Sequence, residues 1–272
     1  MMIEAVKLLR DGIIGPVLVA KCWNIQRRGS IGRGQDTAPP AGFDYDSWVG
    51  PATMIPYRTN RVHNRWTWWY HFGTGDMGND GVHDIDYTRW GLGVETHPSK
   101  IVALGGKYFQ DDDQEFPDTQ QVTFEYPGDG KPGSRRMLIY EQRLWDTVYP
   151  HNVDSGAEFH GPGGQMFLSR RGKIQVLDAQ NKLRPVEIAP QQQDDKAHVA
   201  NLLAAIRSGT KLNADPLIGH LSTSLCHLGN IATRLGRSLN FDPAQEQILG
   251  DEEASRLVRR DYRDHWGRPK GA

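Results

Sequence analysis

The stretch from Gly73 to Trp90, GTGDMGNDGVHDIDYTRW, combines glycines with aspartates, one asparagine and one histidine. Because the glycines stop at Gly81 and return only at Gly91, a helix is predicted from about Asn79 to Gly91. One face of that helix holds residues three or four positions apart: Asn79, His83, Asp86, Tyr87 and Trp90. A face with an imidazole, a carboxamide and a carboxylate indicates more than a solvated surface helix.

Three interpretations of this stretch are open. The string Gly73-x-Gly75-x-x-Gly78 matches the fingerprint of dinucleotide-binding loops, but the preceding NRWTWWYHF is not a buried Val/Ile strand, which disfavours that interpretation. In the second, the helix is structural, and His83 and Asp86 satisfy each other or the backbone. In the third, the helix is catalytic, because a glycine-rich entry lets a ligand approach the backbone and a helix N-terminus favours negative charge.

The composition excludes several classes of protein. A net charge of −1 and a pI of about 6.8 provide no basic field for nucleic acid or for an anionic membrane. No apolar run reaches the length of a membrane span. Cys22 and Cys226 form no CxxC pair, so two buried free thiols are expected. We therefore expect a cytoplasmic protein, unless a leader lies upstream of this sequence.

The chain opens with a short amphipathic helix that feeds a strand. Ile3, Val6 and Leu9 mark one helix face, Gly12 ends the helix, and residues 17–23 have the pattern of a buried strand. A helix end of this kind is an unusual start for a self-contained domain, so we expect a further segment before it.

Two polar loops supply candidate ligands. Residues 24–40 place three arginines beside glycines, where they either clamp an anion or remain solvated. Residues 58–72 mix arginines, histidines and an asparagine with four aromatic residues. Aromatic rings beside hydrogen-bonding groups suit a sugar, and a buried aromatic plug under the loop is the alternative. The candidate sugar ligands are Arg27, Arg61, Asn64, Trp66 and His71, together with Asp86.

From residue 99 to about residue 186 the pattern changes to strands separated by turn signals. The predicted strands are residues 100–104, 120–126, 136–144, 164–168 and 173–177. Consecutive strands with short turns indicate an antiparallel meander. Glu141 and Arg143 share a sheet face, and with His160 they either line a pocket or form charge pairs.

Two amphipathic helices follow, at residues 195–208 and from residue 215 to about residue 234. The second is expected to point six residues inward: Leu217, Leu221, Leu225, Leu228, Ile231 and Leu235. His220 and His227 lie on one side of it, and as metal ligands they would need a nearby carboxylate. Residues 241–272 are predicted to be a polar tail with a short helix at about residues 252–259.

Four motifs point to a known family: NDGVHDID at 79–86, GIIGPV at 12–17, WVGPA at 48–52 and CHLGNIA at 226–232. With these motifs the sequence resembles the glucose-fructose oxidoreductase / inositol dehydrogenase / rhizopine catabolism (Gfo/Idh/MocA) family. The resemblance covers nearly all of the chain but only the C-terminal part of the family. It implies an α+β fold, an open, mainly antiparallel β-sheet with helices packed on one face.

The resemblance also implies a domain organisation. Residues 1–14 would be the remnant of the last helix of a Rossmann domain that is absent here, and residues 15–272 would be the substrate-binding and dimerisation domain. The sheet face commonly serves as a dimer surface in the family, so a homo-oligomer through that face is expected. This chain alone is expected to bind no cofactor, and NAD(P) would be bound only if the missing Rossmann half is supplied.

Catalytic roles follow from the same resemblance. In the family, a helix presents a histidine to the sugar hydroxyl that is oxidised, with an aspartate one turn earlier. His83 matches the histidine, but the earlier position is Asn79, which can orient a hydroxyl and cannot accept its proton. His83 is therefore expected to accept the proton, while Asn79 and Asp80 orient the hydroxyl.

The expected function is the substrate-binding and catalytic half of a sugar or polyol oxidoreductase. One alternative is a cofactor-independent isomerase, lyase or hydrolase of a keto-sugar that uses His83 as base. Such an enzyme could hold a divalent metal with His83, Asp86, Glu141 or His160. A second alternative is a non-catalytic remnant that binds sugar or forms dimers.

Overall fold

A single mixed sheet with helices packed on one face forms the frame of the molecule. The computed structural model describes residues 1–188, 194–263 and 266. The strands are β1 Val19–Asn24, β2 Lys100–Gly106, β3 Thr119–Tyr126, β4 Arg136–Arg143, β5 Ser155–Gly161, β6 Gly164–Leu168, β7 Ile174–Asp178, β8 Leu239–Asp242 and β9 Gln247–Leu249. The α-helices are α1 Met2–Arg10, α2 Tyr45–Val49, α3 Val82–Leu92, α4 Asp195–Ser208, α5 Pro216–Leu235 and α6 Glu252–Arg256.

The strand order confirms the predicted fold class. The strands follow one another as β7-β6-β5-β1-β4-β3-β2-β8-β9. Neighbouring strands are antiparallel except β1 and β4, which run parallel. Strand β1 therefore lies between β4 and β5, in the interior of the sheet and not at its edge.

The predicted polar tail is wrong in its first part. Strands β8 and β9 extend the sheet, because Leu239, Phe241 and Ile248 alternate inward and are buried in the main core. The predicted short helix is present as α6. Residues 264–265 and 267–272 of that segment lie outside the described residues, as does the run of glutamines at 191–193.

Burial alternates along the strands and separates two faces of the sheet. On β3, Val122 and Phe124 are fully buried under the helices, whereas Gln121 points to the opposite face and is exposed. Helices α3 and α5 cover the first face. The opposite face, called the open face below, bears Val102 and Leu104 of β2, which are exposed.

The two long helices differ in how far they are buried. Four of the leucine and isoleucine positions predicted to point inward on α5 are buried, but Leu217 in its first turn is exposed. Helix α4 has the predicted boundaries, yet it buries none of its residues, and Val199 and Ile206 of its apolar stripe are exposed. No described helix is both long enough and apolar enough to cross a membrane.

Glycine at two positions lets α3 approach the sheet. A methyl group on Gly81 would collide with the Tyr140 hydroxyl of β4, and one on Gly91 would collide with the Phe159 ring of β5. Both aromatic side chains are fully buried and have no free space to move into. From the sequence, we expected the glycines at the start of the helix to let a ligand approach the backbone. Gly81 and Gly91 instead allow the helix to pack closely against the sheet.

We expect Gly81→Ala to lower the free energy of unfolding by about 1–3 kcal/mol, because the added methyl group overpacks the contact with Tyr140. The matched control is Gly219→Ala on α5, where a methyl group meets no atom within 4 Å. That change should raise stability by roughly 0.5–1 kcal/mol, since alanine is the better helix former. Urea unfolding of both variants measures the difference, and equal shifts would contradict the packing role of Gly81.

Candidate active site around helix α3

A single π-helical turn, Met77–Gly81, precedes α3 and runs into it without a break. The sequence predicted the helix from about Asn79, and the helical path begins two residues earlier. A π turn joined to an α-helix is rare and frequently marks a functional site. This turn contains Asn79 and Asp80, two of the predicted catalytic residues, and it delivers the chain to His83.

An arginine joins two carboxylates at the carboxyl end of β1. The group of Asn24, Arg28, Asp76 and Asp80 is called the Arg28 cluster below. Arg28 Nη2 lies 2.9 Å from Asp76 Oδ1 and 2.5 Å from Asp80 Oδ2. Asn24 Nδ2 donates to Asp76 Oδ2 at 2.9 Å. One guanidinium thus pairs with two acidic side chains at the entry to α3.

Asp76 is the buried member of the Arg28 cluster. Its side chain is inaccessible to solvent, whereas those of Arg28 and Asp80 are about one quarter exposed. Burial raises the pKa of Asp76, and the charge of Arg28 offsets part of this rise. A solute at the surface of the cluster therefore meets Arg28 and Asp80. The buried Asp76 carboxylate pairs with Arg28 on the side away from solvent.

The sequence selected Arg27 rather than Arg28. Arg27 is exposed, and the structure places its neighbour Arg28 against the helix entry. Nothing in the local pattern distinguishes the two arginines, because they are adjacent in an irregular loop. Asp76 was also missed, although it lies in the same glycine-rich stretch as Asp80.

Asp84 is a second buried carboxylate, one residue after His83. Its Oδ1 atom accepts from Ser155 Oγ at 2.6 Å and lies 3.4 Å from Arg170 Nε. The Asp84 side chain is fully buried, and burial raises its pKa to about 7 despite the opposing charge of Arg170. A buried carboxyl with a raised pKa is common at functional sites, and Asp84 here points inward from the same helix that exposes His83.

Of the predicted polar face, Asn79 of the π turn and His83 of α3 are exposed, but Tyr87 and Asp86 are oriented differently. His83 and Asn79 are exposed, whereas Tyr87, which was predicted to share their face, is buried. Asp86 turns toward α5, where its Oδ1 atom accepts from Ser222 Oγ at 2.5 Å. The face predicted from helical spacing is therefore wrong for Tyr87, and Asp86 is bonded to α5 rather than presented with His83.

The aromatic loop is divided between core and surface. Trp68 and Trp69 are buried in a small cluster, as the alternative of an aromatic plug predicted, while Trp66 and Asn64 are exposed. Arg61 is buried and donates to the Pro56 carbonyl at 2.6 Å. Its guanidinium also lies 4.3 Å from the centroid of the Trp69 ring.

These contacts give Arg61 a role in holding the loop. His71, another predicted sugar ligand, is half-buried, and its carbonyl accepts from Arg260. The exposed members of the predicted sugar set are therefore Arg27, Asn64 and Trp66.

The residues proposed for a metal-assisted keto-sugar enzyme lie on different faces of the sheet. Glu141 is on the open face, where it pairs with Lys21 at 2.7 Å and with Arg143 at 3.0 Å. Phe159 of β5 faces the helices. Because neighbouring residues of a strand point to opposite faces, His160 also lies on the open face. Because α3 holds His83 and Asp86 on the helical face, the four residues do not form one metal site. The charge-pair interpretation of Glu141 and Arg143 matches these contacts.

We expect Asp84→Asn to change how stability depends on pH. The folded-state pKa of Asp84 is about 7, against 3.8 for the free side chain. Between these pH values the folded protein keeps a proton that the unfolded chain releases, so stability falls as pH rises through this window. The substitution removes that fall, which amounts to about 4 kcal/mol at most.

Urea unfolding at pH 5 and pH 8 measures this effect. The stability of Asp84→Asn relative to the unmodified protein should be higher at pH 8 than at pH 5. The control is Asp111→Asn, because the Asp111 side chain is 88% exposed, and its relative stability should not change with pH in this way. Parallel pH profiles for the unmodified protein and Asp84→Asn would contradict the assignment.

Comparison with solved structures shows the same fold at low sequence identity. The aldose-aldose oxidoreductase of Caulobacter crescentus, complexed with glycerol, matches at 16% identity and a TM-score of 0.61, over 88% of this chain and 60% of that one. Levoglucosan dehydrogenase in complex with NADH and L-sorbose matches at 14% identity and a TM-score of 0.58, over 89% and 63%. An oxidoreductase of Agrobacterium radiobacter with NAD+, L-tartaric acid and magnesium matches at 12% identity and a TM-score of 0.52, over 88% and 61%.

The chain thus spans about 60% of the length of the structures that it matches. No curated protein sequence matches it. The family model described as "Oxidoreductase family, C-terminal alpha/beta domain" of the Gfo/Idh/MocA group matches residues 18–268. Because that match covers most of the sequence and the fold agrees, the chain belongs to the Gfo/Idh/MocA oxidoreductase family and represents its C-terminal α/β domain.

Proposed function

We propose that this chain is the substrate-binding and catalytic half of a sugar or polyol oxidoreductase, with the substrate held at the exposed start of α3. The observation that supports this proposal best is the exposed imidazole of His83, three residues after Asp80 of the Arg28 cluster, in a chain of an oxidoreductase family. The similar structures with bound glycerol and L-sorbose support a polyhydroxylated substrate.

In the proposed reaction, His83 accepts the proton of the substrate hydroxyl as the carbon becomes a carbonyl. Asn79 is exposed beside it and orients the hydroxyl. Asp80 is held by Arg28 and offers an oxygen to a second hydroxyl, and the same ion pair keeps its carboxylate in place. Arg27, Asn64 and Trp66 supply further exposed groups for the sugar.

The hydride from that carbon goes to a nicotinamide held by a domain outside these residues. The glycine string of this chain lacks the strand that precedes a dinucleotide loop, because residues 66–68 form a 3-10 turn. A methyl group on Gly73 would collide with the Thr67 backbone, and one on Gly75 would meet the Phe116 ring at 2.6 Å. The protein packs closely around these glycines, and our proposal assigns no cofactor-binding residue to them.

The proposal includes a domain division. Residues 15–272 form the substrate-binding domain, and residues 1–14 correspond to the last helix of a nucleotide-binding domain. Helix α1 buries Ala5, Val6 and Leu9, and it packs on α3. This contact would connect the nucleotide-binding domain directly to the catalytic helix.

We expect His83→Ala to weaken the binding of the sugar or polyol substrate by about two- to tenfold, since it removes a hydrogen bond of roughly 0.5–1.5 kcal/mol. Ligand-observed NMR with a panel of polyols and aldoses identifies the ligand, and a titration measures its affinity. The control is His198→Ala, because His198 is exposed on α4 and outside the proposed site.

A second measurement addresses the cofactor. NADH added to this chain should show no saturable binding, and substrate oxidation should require a nucleotide-binding domain supplied as a separate protein or as a fusion. Unchanged sugar affinity in His83→Ala would contradict the placement of the substrate. Saturable binding of NADH to this chain would contradict the assignment of NAD(P) binding to a separate domain.

We further propose that two copies of the chain associate through the open face of the sheet. Val102 and Leu104 on neighbouring outward positions of β2 are 47% and 75% exposed. On the same face, beyond β3, Lys21 of β1 pairs with Glu141 of β4 at 2.7 Å. An apolar centre with a polar rim is the usual composition of a protein interface.

We expect Leu104→Asp to shift the protein from dimer to monomer, because a carboxylate would be buried without a partner at the centre of the interface. Sedimentation velocity over a concentration series measures the change. The matched control is Ile206→Asp on α4, which is 72% exposed and lies away from the sheet. A monomeric unmodified protein, or a dimer lost only in Ile206→Asp, would contradict the open-face interface.

A further inference from the structure

A cluster of two histidines and one glutamate joins three separate parts of the chain. His97 lies in the loop between α3 and β2, His220 lies on the first turns of α5, and Glu246 lies in the turn between β8 and β9. The ligand atoms of all three residues lie within 4.8 Å of one another. We call these residues the His97 cluster, and none of them belongs to the proposed active site.

The geometry of the cluster is that of a small coordination shell. Nε2 of His97 lies 3.1 Å from Glu246 Oε1, and Nε2 of His220 lies 3.0 Å from both carboxylate oxygens. A tetrahedral zinc ion with ordinary bond lengths separates its ligand atoms by about 3.4 Å. Small side-chain movements would therefore place an ion between the three groups.

We propose that the His97 cluster binds one Zn²⁺ ion through Nε2 of His97, Nε2 of His220 and the carboxylate of Glu246. Two imidazoles and one carboxylate are a known zinc ligand set that leaves a fourth position for water. Imidazole nitrogen favours zinc and similar transition metals over calcium or magnesium, which prefer oxygen ligands.

The surroundings of the His97 cluster bury one of the three ligands and leave the other two open to solvent. The His97 side chain is 3% exposed, and its ring packs edge-on against Phe241 with centroids 5.7 Å apart. The side chains of His220 and Glu246 are 46% and 48% exposed, so an ion and its water can enter from solvent.

Backbone geometry supports the same assignment. Glu246 has a positive φ of 52°, an uncommon conformation for a residue other than glycine, and it directs the carboxylate at both imidazoles. The Phe241 amide donates to the Ser99 carbonyl at 2.9 Å, which fixes the β8–β9 hairpin beside the His97 loop. Two ligands are therefore positioned by the sheet and the third by a helix.

A bound ion would tie the edge of the sheet to α5. Ser222, two residues after His220, bonds to Asp86 of α3 at 2.5 Å and accepts from Arg89 Nε at 2.9 Å. The ion would thus stabilise the helix against which α3 packs. This role is structural and does not depend on the proposed sugar chemistry.

Zinc titration of protein freed of metal by a chelator, and without a polyhistidine tag, tests the proposal. We expect one Zn²⁺ per chain by calorimetry and an increase in Tm when Zn²⁺ is added. His220→Ala and Glu246→Gln should each weaken Zn²⁺ binding by at least about tenfold, because loss of even an outer-shell partner of a metal ligand has an effect of this size.

The control is His198→Ala, an exposed histidine on α4 that should leave zinc affinity unchanged. His220 and Glu246 are about half exposed, so we expect both variants to fold, and circular dichroism checks this. If the unmodified protein binds no stoichiometric Zn²⁺, or if both ligand variants bind as tightly as it does, the cluster is an ion pair only and the proposal is wrong.

Discussion

Helix α3 lies close against β4 and β5 because Gly81 and Gly91 have no side chains to hold the helix away from the sheet. This contact sets how the helix is rotated, and so which of its side chains point inward. With those glycines against the sheet, Asp84 must point inward to Ser155, and the preceding residue, His83, must point outward. A helix displaced by the width of a methyl group would lose the buried bonds of Asp84. His83 is thus exposed because Gly81, Asp84 and Gly91 pack against the sheet on the other side of the helix.

The same contact takes two carboxylates out of water, and the molecule compensates with arginines from loops. Arg28 follows β1 and neutralises Asp76, while Arg170 follows β6 and lies beside Asp84. Breaking such a pair leaves a buried charge without a partner, which is far more costly than the pair itself is stabilising. Both loops are therefore held against α3 and its entry by these ion pairs.

Much of the fold could be predicted from the sequence, because its signals are local. The limits of α4 follow from periodicity and from Gly209 after its last residue, and α5 begins with an aspartate cap before a proline. Strand β5 was missed because SGAEFHG contains two glycines and little alternation. Strands β8 and β9 were missed because four and three residues are too short to show a period.

The site was less predictable than the fold, because its partners are distant in sequence. Helical spacing singled out His83, but it could not show that Tyr87 turns inward, since that depends on where the sheet lies. Arg28 and Asp76 are 48 residues apart in sequence, and adjacent Arg27 fitted the local pattern equally well. The carboxylate required beside His220 was also invisible, because Glu246 lies 26 residues away in a segment that looked like a tail.

The central claim is that a polyhydroxylated substrate touches the His83 imidazole at the exposed start of α3. Two-dimensional NMR of the histidine ring resonances, assigned with single His substitutions and followed during titration with the polyol that binds best, tests this claim most directly. We expect the His83 resonances to shift in a saturable way while those of His198 stay unchanged. Saturable binding of the polyol with no change at His83 would contradict it.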